Sequence, residues 1–413
     1  MTNPVAVPGA RRAHKPVPRG IARSGPAILS YGFRPFFLLA GIFALLDMVL
    51  WIGALSGNWS VGGSAGPIAW HAHEMLFGYG AAALCGFLLT AVPNWTGRLP
   101  VSGRPLLALV IVWLAGRAAM LFPSLLGESV AAAIDVSFLL GLAAIIAREV
   151  IAGRNYQNLR VAGVVTALGL LNLAFHATTL LGWDPGGIVR ATVGMFSLLI
   201  GLIGGRIIPS FTRNYLARIG ETRLPSPIDR LDRISLAPVL LAIITWAVAP
   251  DTLATTLLAA TAALSQAWRL SRWRTVPALA EPLLAMLHIA FVFVPLGWLG
   301  VALSSLGLLS PASAIHLLTV GAIGGMTLAV MFRAARGHTG RPLKASGLAI
   351  ASFGCLLLAA LLRPAAEVFP EAYHPILTMS AAAWIAAFTL FLAEYAPILL
   401  GPSLGSKASR PAP

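Results

Sequence analysis

The chain has 413 residues, of which 58% are hydrophobic and only 10% are charged. Because a soluble domain carries about 25% charged residues, this composition and a mean hydropathy of +0.83 exclude a single buried core with a polar surface. The formal net charge of +15 is spread along the chain in a way that argues against a nucleic-acid partner.

The apolar residues fall into runs of roughly 20, each long enough to cross the hydrocarbon layer of a bilayer as a helix. Helices are favoured because lipid offers the backbone no hydrogen-bond partner. In chain order the predicted spans are 36–56, 68–92, 105–123, 129–147, 161–182, 188–208, 234–250, 252–268, 278–304, 312–332, 343–362 and 375–399. The sequence therefore predicts an all-α, polytopic membrane bundle of about twelve transmembrane helices.

A basic tail containing Arg11-Arg12 precedes the first predicted span. A twin-arginine export signal needs a short apolar region and a cleavage site, whereas here a full-length span follows. We therefore interpret residues 1–30 as a cytoplasmic tail, 31–401 as a single transmembrane domain, and 402–413 as a cytoplasmic C-terminal tail.

The division between the seventh and eighth predicted spans rests on Pro250-Asp251 alone. Proline disfavours helix continuation through the residue before it. This segment is therefore either a tight hairpin or one long broken helix.

The basic residues predict an orientation. With the N-terminus inside and the spans alternating, the inner segments hold all but three of the 29 lysines and arginines. The exceptions are Arg190 and Arg363 in outer loops and Arg117 within a span. The positive-inside rule predicts this bias, so both termini are expected on the cytoplasmic side. The positive charge is thus an orientation signal and an attraction to anionic lipid, and the expected macromolecular partner is the lipid bilayer, with no nucleic acid.

The second, sixth and tenth predicted spans end in similar motifs: PNWTGR (93–98), PSFTR (209–213) and GHTGRP (337–342). Two share a proline, a small polar residue, an aromatic residue and a threonine, and the third shares Thr-Gly-Arg. Because these spans are four helices apart, we predict three four-helix repeats in one bundle. The alternative is that proline, glycine and arginine are common wherever a helix leaves the membrane.

Six of the eight histidines lie in or at the ends of spans, where ionisable groups are costly and are candidates for function. The predicted orientation places His288 deeper and the other five at the outer level: His71, His73, His176, His316 and His374. Imidazole is a common ligand of haem iron, copper and zinc, so a group of histidines at one depth predicts a redox metal site. The alternative for each is a buried polar residue with its hydrogen bonds satisfied.

The densest motif is WHAHEM (70–75). On a helix, His71 shares a face with Glu74 and Met75, whereas His73 lies about 200° around the axis. One helix turn is therefore expected to serve two sites, with Glu74 or Met75 as a co-ligand or hydrogen-bond partner of a metal-bound histidine.

Other polar residues are predicted within the membrane: Asp47, Arg117, Asp135, Asn172 and Glu394. Asn172 is four residues from the histidine at 176 and shares its helix face. Arg117 is expected to pair with a carboxylate or a haem propionate. Ordinary pairing between helices is the alternative for all five.

Several long motifs resemble the NnrS family: WHAHEMLFGYGAAALCGFLLTAVPNWTGR (70–98), GFRPFFLLAG (32–41), NLAFH (172–176), GGRIIPSFTRN (204–214), HLLTVGAIGGMTLAVMFRAARGHTGRPL (316–343) and a closing W…YAPILL (384–400). The resemblance implies a bacterial inner-membrane protein of about twelve spans that contains haem and copper. It also implies a role in nitric oxide metabolism and nitrosative-stress resistance.

The resemblance carries the family's histidines onto this chain at His71, His73, His176, His288, His316 and His338, but not at His374. His338 belongs to a set of motif residues expected on the cytoplasmic side: Arg98, Arg206, Arg213, His338 and Arg341.

The first hypothesis is a membrane metalloprotein that binds nitric oxide and removes it by reduction, with an unidentified partner as electron donor. One histidine of the second span and one of the tenth would hold haem b, and the remaining outer histidines would hold copper or a second haem. Cys85 and Cys355 lie in apolar runs outside any CxxCH motif, so covalent haem is not indicated.

Two other classes of function remain open. One is a non-catalytic haem-based sensor or a haem or metal carrier. The other is a secondary transporter, although such proteins place their polar groups at midplane. Haem–copper oxidases also arrange twelve helices in three arcs, but this chain lacks their adjacent histidine pair, and fold analogy alone does not establish function.

Overall fold

The computed structural model describes residues 25–404, where all regular elements are helical. The long helices are α1 (Phe33–Leu55), α2 (Gly63–Thr96), α3 (Arg104–Leu121), α4 (Glu128–Ala152), α5 (Leu159–Leu180), α6 (Gly186–Arg218), α7 (Ala237–Val248), α8 (Leu253–Ser271), α9 (Pro282–Ser305), α10 (Pro311–His338), α11 (Gly347–Val368) and α12 (Tyr373–Leu400). The Arg11-Arg12 motif and most of both predicted tails lie outside the described residues.

Eleven helices in this range are long and apolar enough to cross a membrane. The long helix outside that set is α8, whose sequence contains three threonines, two serines, a glutamine and an arginine. It packs between α7 and α9 in the same bundle. The polytopic all-α bundle is therefore confirmed, while the count of twelve spans stays a prediction.

The segment around Pro250-Asp251 is a tight hairpin. Helix α7 ends at Val248, α8 begins at Leu253, and the two helices pack against each other. The side chain of Thr252 caps α8 by accepting a hydrogen bond from the backbone N–H of Thr255. One of the two alternatives left open by the sequence, the long broken helix, is thereby excluded.

The helices form three arcs around three inner helices. Helices α2, α6 and α10 contact one another; α3–α5 pack between α2 and α6, and α7–α9 pack between α6 and α10. Helices α11, α12 and α1 complete the ring between α10 and α2. Inner helices recur every fourth helix, which agrees with the predicted three four-helix repeats.

Each inner helix contains a π-helical segment: Glu74–Gly80 in α2, Ile200–Gly204 in α6 and Leu317–Gly324 in α10. π segments are rare, and they are frequent at functional sites because the extra residue widens the helix and changes the direction of its side chains. Their occurrence in all three inner helices adds a structural argument for the repeat.

Side chains from the arcs hydrogen-bond to the backbone within these segments. The indole Nε1 of Trp113 donates to the carbonyl of Gly78 at 3.2 Å, and Nη1 of Arg269 donates to the carbonyl of Gly201 at 2.9 Å. Because lipid cannot satisfy backbone groups, such partners allow a π segment to exist at membrane depth.

Candidate functional site

The two histidines of the WHAHEM motif point into different gaps between helices. His71 reaches Asp47 on α1, whereas His73 reaches Asn172 on α5. The two side chains lie on different faces of α2, as helical geometry predicts, while their service of two sites stays a prediction.

The first site is a buried cluster formed by α2, α3, α4 and α5. We call it the α2–α5 cluster, and it consists of His73, Glu74, Arg117, Asp135, Asn172 and His176. None of the six is more than 7% exposed. Burial of charged groups at this depth requires that they pair with one another.

Both ring nitrogens of His73 have partners in the cluster. Nδ1 of His73 lies 2.8 Å from Oε1 of Glu74, and Nε2 lies 2.9 Å from Oδ1 of Asn172. The same Nε2 is 3.1 Å from Oδ2 of Asp135, which is also 3.0 Å from Nε2 of His176.

Arg117 joins the two carboxylates of the cluster. Its Nη1 donates to Glu74 and its Nη2 donates to Asp135. Asn172 completes the network by donating from Nδ2 to Oδ2 of Asp135 at 2.7 Å. With both imidazoles neutral, two carboxylates and one guanidinium leave one negative charge, which favours the binding of one cation.

Three residues of the cluster can hold a metal ion. Ligand atoms of His73, Asp135 and His176 lie within 4.8 Å of one another. Two imidazoles and one carboxylate are a donor set that suits first-row transition metals. The contact of Glu74 with Nδ1 of His73 matches the usual outer hydrogen bond of a metal-bound imidazole.

The second site contains His71, a half-buried residue of α2. Its Nδ1 donates to Oδ2 of Asp47 at 3.0 Å, and its ring stacks on Trp51 with centroids 4.5 Å apart. Because Nδ1 carries this hydrogen bond, the free lone pair is on Nε2, which has no partner among the described residues.

His316 on α10 has the same arrangement. Its Nδ1 donates to the carbonyl of Ala312 at 2.6 Å, one turn earlier in the helix, and its Nε2 also has no partner among residues 25–404. The segment Pro311–His316 packs against α11, the helix that carries Arg363, and α10 contacts α2, the helix that carries His71. We call His71 and His316 the histidine pair.

Asp47 is a buried carboxylate that is only half satisfied. It is fully buried on α1, and its Oδ1 has no hydrogen-bond partner within residues 25–404. Buried unpaired oxygens are rare and need a reason. Such a carboxylate beside His71 is suited to orient the ring and to increase its basicity.

His288 lies apart from both sites. Helix α9 begins at Pro282, so His288 is on its second turn and not midway through the span. Threonine hydroxyls contact both ring nitrogens: Thr212 is 2.9 Å from Nε2 and Thr275 is 3.1 Å from Nδ1. The structure does not bring His288 together with the other predicted ligands.

The remaining predicted residues make their contacts outside the two sites. Met75 packs against the hydrophobic core. Glu394, predicted as an intramembrane acid, pairs with Arg336 at 2.9 Å. The ring of His338 packs against Tyr31 and Phe33 at the start of α1.

The arginines expected on the cytoplasmic side make structural contacts. Arg98 donates to Glu149 at 2.5 Å, and Arg206 donates to Asn158 at 3.0 Å. Arg213 donates to the carbonyl of Pro225. One buried nitrogen of Arg341 has no hydrogen-bond partner among the described residues.

Sequence reasoning did not place Asp47 and Asp135 in a site, although it noted both as intramembrane acids. Their identity as carboxylates within apolar spans was the available signal. Trp51 and Arg363 carried no such signal, because aromatic residues and arginines near helix ends are common at membrane interfaces.

Comparison with known sequences gives one family. The sequence model of the family described as NnrS protein matches residues 27–403, which includes every long helix. No curated protein matches the chain with significance.

Proposed function

The chain belongs to the NnrS family, and from this premise we propose that it is a haem- and copper-containing membrane protein that binds nitric oxide and protects against nitrosative stress. The observation that carries the proposal is the histidine pair. His71 and His316 come from different inner helices, and each has Nδ1 hydrogen-bonded and Nε2 free.

The histidine pair fits the requirements of a haem b site. Histidines that bind metals usually donate their second ring nitrogen to a carboxylate or a backbone carbonyl, as His71 does to Asp47 and His316 does to Ala312. Arg363 lies on α11, against which the segment of His316 packs, and is a candidate partner of a haem propionate. Haem held there would supply a redox-active iron, at which nitric oxide would take the place of one of the two histidines.

The α2–α5 cluster is the proposed copper site. His73, Asp135 and His176 would hold the ion, Asn172 would orient Asp135, and Arg117 would balance the charge of the carboxylates. Imidazole and carboxylate donors suit Cu(II), and the negative charge that the cluster carries when its imidazoles are neutral supports the binding of a cation.

Whether the protein removes nitric oxide catalytically is a further part of the proposal. Two molecules of nitric oxide, two electrons and two protons give nitrous oxide and water. The sequence has no flavin or Fe–S motif, so the electrons would come from a partner protein. Nitric oxide is small and apolar and can arrive through lipid.

The proposed location is the bacterial inner membrane, with both termini cytoplasmic. The basis is the asymmetric distribution of lysine and arginine between alternate loops. The two histidine sites would then lie towards the periplasmic side.

An optical spectrum of the purified protein tests the haem site. We expect the wild-type protein to show a Soret band and the spectrum of haem with two histidine ligands. Single changes His71→Ala and His316→Ala should lose that spectrum, whereas the control His288→Ala should keep it, because threonines occupy both nitrogens of His288. Retention of the wild-type spectrum by both site variants would refute this assignment.

Metal analysis tests the copper site separately. His73→Ala and His176→Ala should lose copper and retain haem. Anaerobic consumption of nitric oxide by the reduced protein, followed with an electrode, then tests the catalytic part. Binding of nitric oxide without consumption would identify a sensor or carrier.

A further inference from the structure

A cavity lies between α2, α6 and α10, and it is partly open, because Phe87, Ile207 and Val330, which line it, are only half-buried. Its volume is about 70 Å³. The lining is apolar and includes Gly80, Ala83, Phe196, Ile203, Ile323 and Met326. This cavity is not part of either histidine site.

Among the described residues that line the cavity, Thr327 carries the hydroxyl group, and this hydroxyl already makes hydrogen bonds within the protein. Oγ1 of Thr327 lies 2.5 Å from the hydroxyl of Tyr79 and donates to the carbonyl of Ile323 at 2.7 Å. The cavity therefore offers water little to bind, since a buried water needs two to four polar partners.

The π segments explain why a cavity exists at this level. Residues of each segment line it: Gly80 from α2, Ile200, Ile203 and Gly204 from α6, and Ile323 from α10. Gly80 allows the close approach of α6, because a Cβ there would lie 3.1 Å from Cζ of Phe196. A similar local distortion in all three inner helices leaves space where they meet.

The position of the cavity relates it to both histidine sites. Gly80 follows His73 by seven residues, and Ile323 follows His316 by the same number. At 1.5 Å per residue, each separation is about 10 Å along the helix axis. The cavity thus lies about equally far along the helix axis from the α2–α5 cluster and from the histidine pair. Two of the helices that line it, α2 and α10, also carry the proposed ligands.

We propose that this cavity binds a small, neutral, apolar gas molecule of diatomic size. Its volume corresponds to roughly two water molecules at about 30 Å³ each, which is much smaller than the roughly 300–1,000 Å³ pockets of larger ligands. Enclosed apolar cavities stay dry and take up xenon, and this cavity has the same apolar character of lining. The identification of the gas as nitric oxide rests on the proposed function; the binding of an apolar gas does not.

Xenon is the probe for the first experiment. Crystals of the full-length protein are pressurised with xenon, and the anomalous signal is mapped. We expect a peak between α2, α6 and α10 in the wild-type protein. Ala83→Leu adds three carbons within the cavity and should abolish the peak. The control Ala133→Leu makes the same change on an exposed position of α4 and should retain it.

A second variant keeps the test decisive if Ala83→Leu does not fold. Ile203→Ala enlarges the cavity and should increase xenon occupancy at the same pressure. The proposal is overturned if the wild-type protein shows no xenon at this position, or if both cavity variants leave occupancy unchanged.

A kinetic measurement tests the relation to the haem. After photolysis of nitric oxide from the haem, Ala83→Leu should change the fast rebinding phase several-fold without altering the absorption spectrum. Unchanged rebinding would mean that the cavity does not serve the haem. A protein without a Soret band would refute the proposed function but leave the xenon result standing.

Discussion

Arg117 lies between two buried carboxylates, Glu74 and Asp135, and is itself only 7% exposed. Its guanidinium also lies over the rings of Phe43 and Trp113, with Cζ 5.8 and 5.9 Å from the ring centroids. Planar contacts of this kind favour arginine over lysine. Arg117 therefore acts on both the charge and the geometry of the α2–α5 cluster.

Replacing Arg117 tests this role. Arg117→Met leaves two carboxylates buried without compensation, so we expect the free energy of unfolding to fall by about 3–5 kcal/mol. Thermal or denaturant unfolding in detergent measures the change. Arg148→Met is the matched control, because the Arg148 side chain is 68% exposed, and it should change stability by less than about 0.5 kcal/mol. Equal stabilities of the two variants would contradict the prediction.

Asp47 allows a second test at the scale of single residues. Asp47→Asn keeps the shape of the side chain but removes the negative charge beside His71. A less basic ligand stabilises oxidised haem less, so the midpoint potential should rise by about 60 mV, a tenfold change for one electron. Potentiometric titration of the purified protein measures it, with the exposed change Asp251→Asn as control. A potential that does not move would show that Asp47 does not tune His71.

The packing of the inner helices requires close contacts at their π segments. Gly205 directly follows the π segment of α6, and a Cβ there would overlap the guanidinium of Arg269. That guanidinium bonds to Gly201 and to Gln266, both at 2.9 Å. The glycine is therefore required by an arginine that supports the π segment.

The change Gly205→Ala should destabilise the protein by about 1–3 kcal/mol, as expected for overpacking. Gly141→Ala on α4 is the control, since nothing lies within 4 Å of its Cβ position. Alanine is the better helix former there, so stability should stay constant or rise slightly. Melting temperatures of the two variants compare them directly, and a stable Gly205→Ala protein would show that Arg269 can move without cost.

Individual helices were the most predictable elements. Each predicted span overlaps a helix of the structure, because long apolar runs in lipid have few other solutions. The π segments were not predicted, since no local residue pattern distinguishes them from an α-helix rich in glycine. Their formation depends on partners such as Trp113 and Arg269, which come from other parts of the chain.

For the whole molecule, the orientation is the prediction that remains to be measured. In a protein with its native cysteines replaced, Asp184→Cys and Asp251→Cys should react with a membrane-impermeant thiol reagent applied from the periplasm. Glu221→Cys should be protected until the membrane is permeabilised. All three positions are exposed in the structure, so differences in labelling report sidedness. The opposite pattern would invert the topology, and a protected Asp251→Cys alone would place the α7–α8 hairpin differently.

Local residue patterns are enough to establish the helical class, the approximate spans, the positions of the charged residues and the histidines that are candidate ligands. These depend on local hydrophobicity and on the cost of ionisable groups in lipid. The sequence also placed His71 and His73 on opposite faces of one helix, because helical geometry fixes the angle between neighbouring residues.

The contacts between residues of different helices are visible in the three-dimensional structure alone. The structure joined His73 and His176 through Asp135, paired Asp47 with His71, and left His288 outside both sites. In lipid, apolar helices gain little from any particular neighbour, so packing and buried hydrogen bonds between distant segments select the arrangement. Those interactions join residues that are far apart in the chain. Local patterns in one sequence therefore do not predict which of these residues pair.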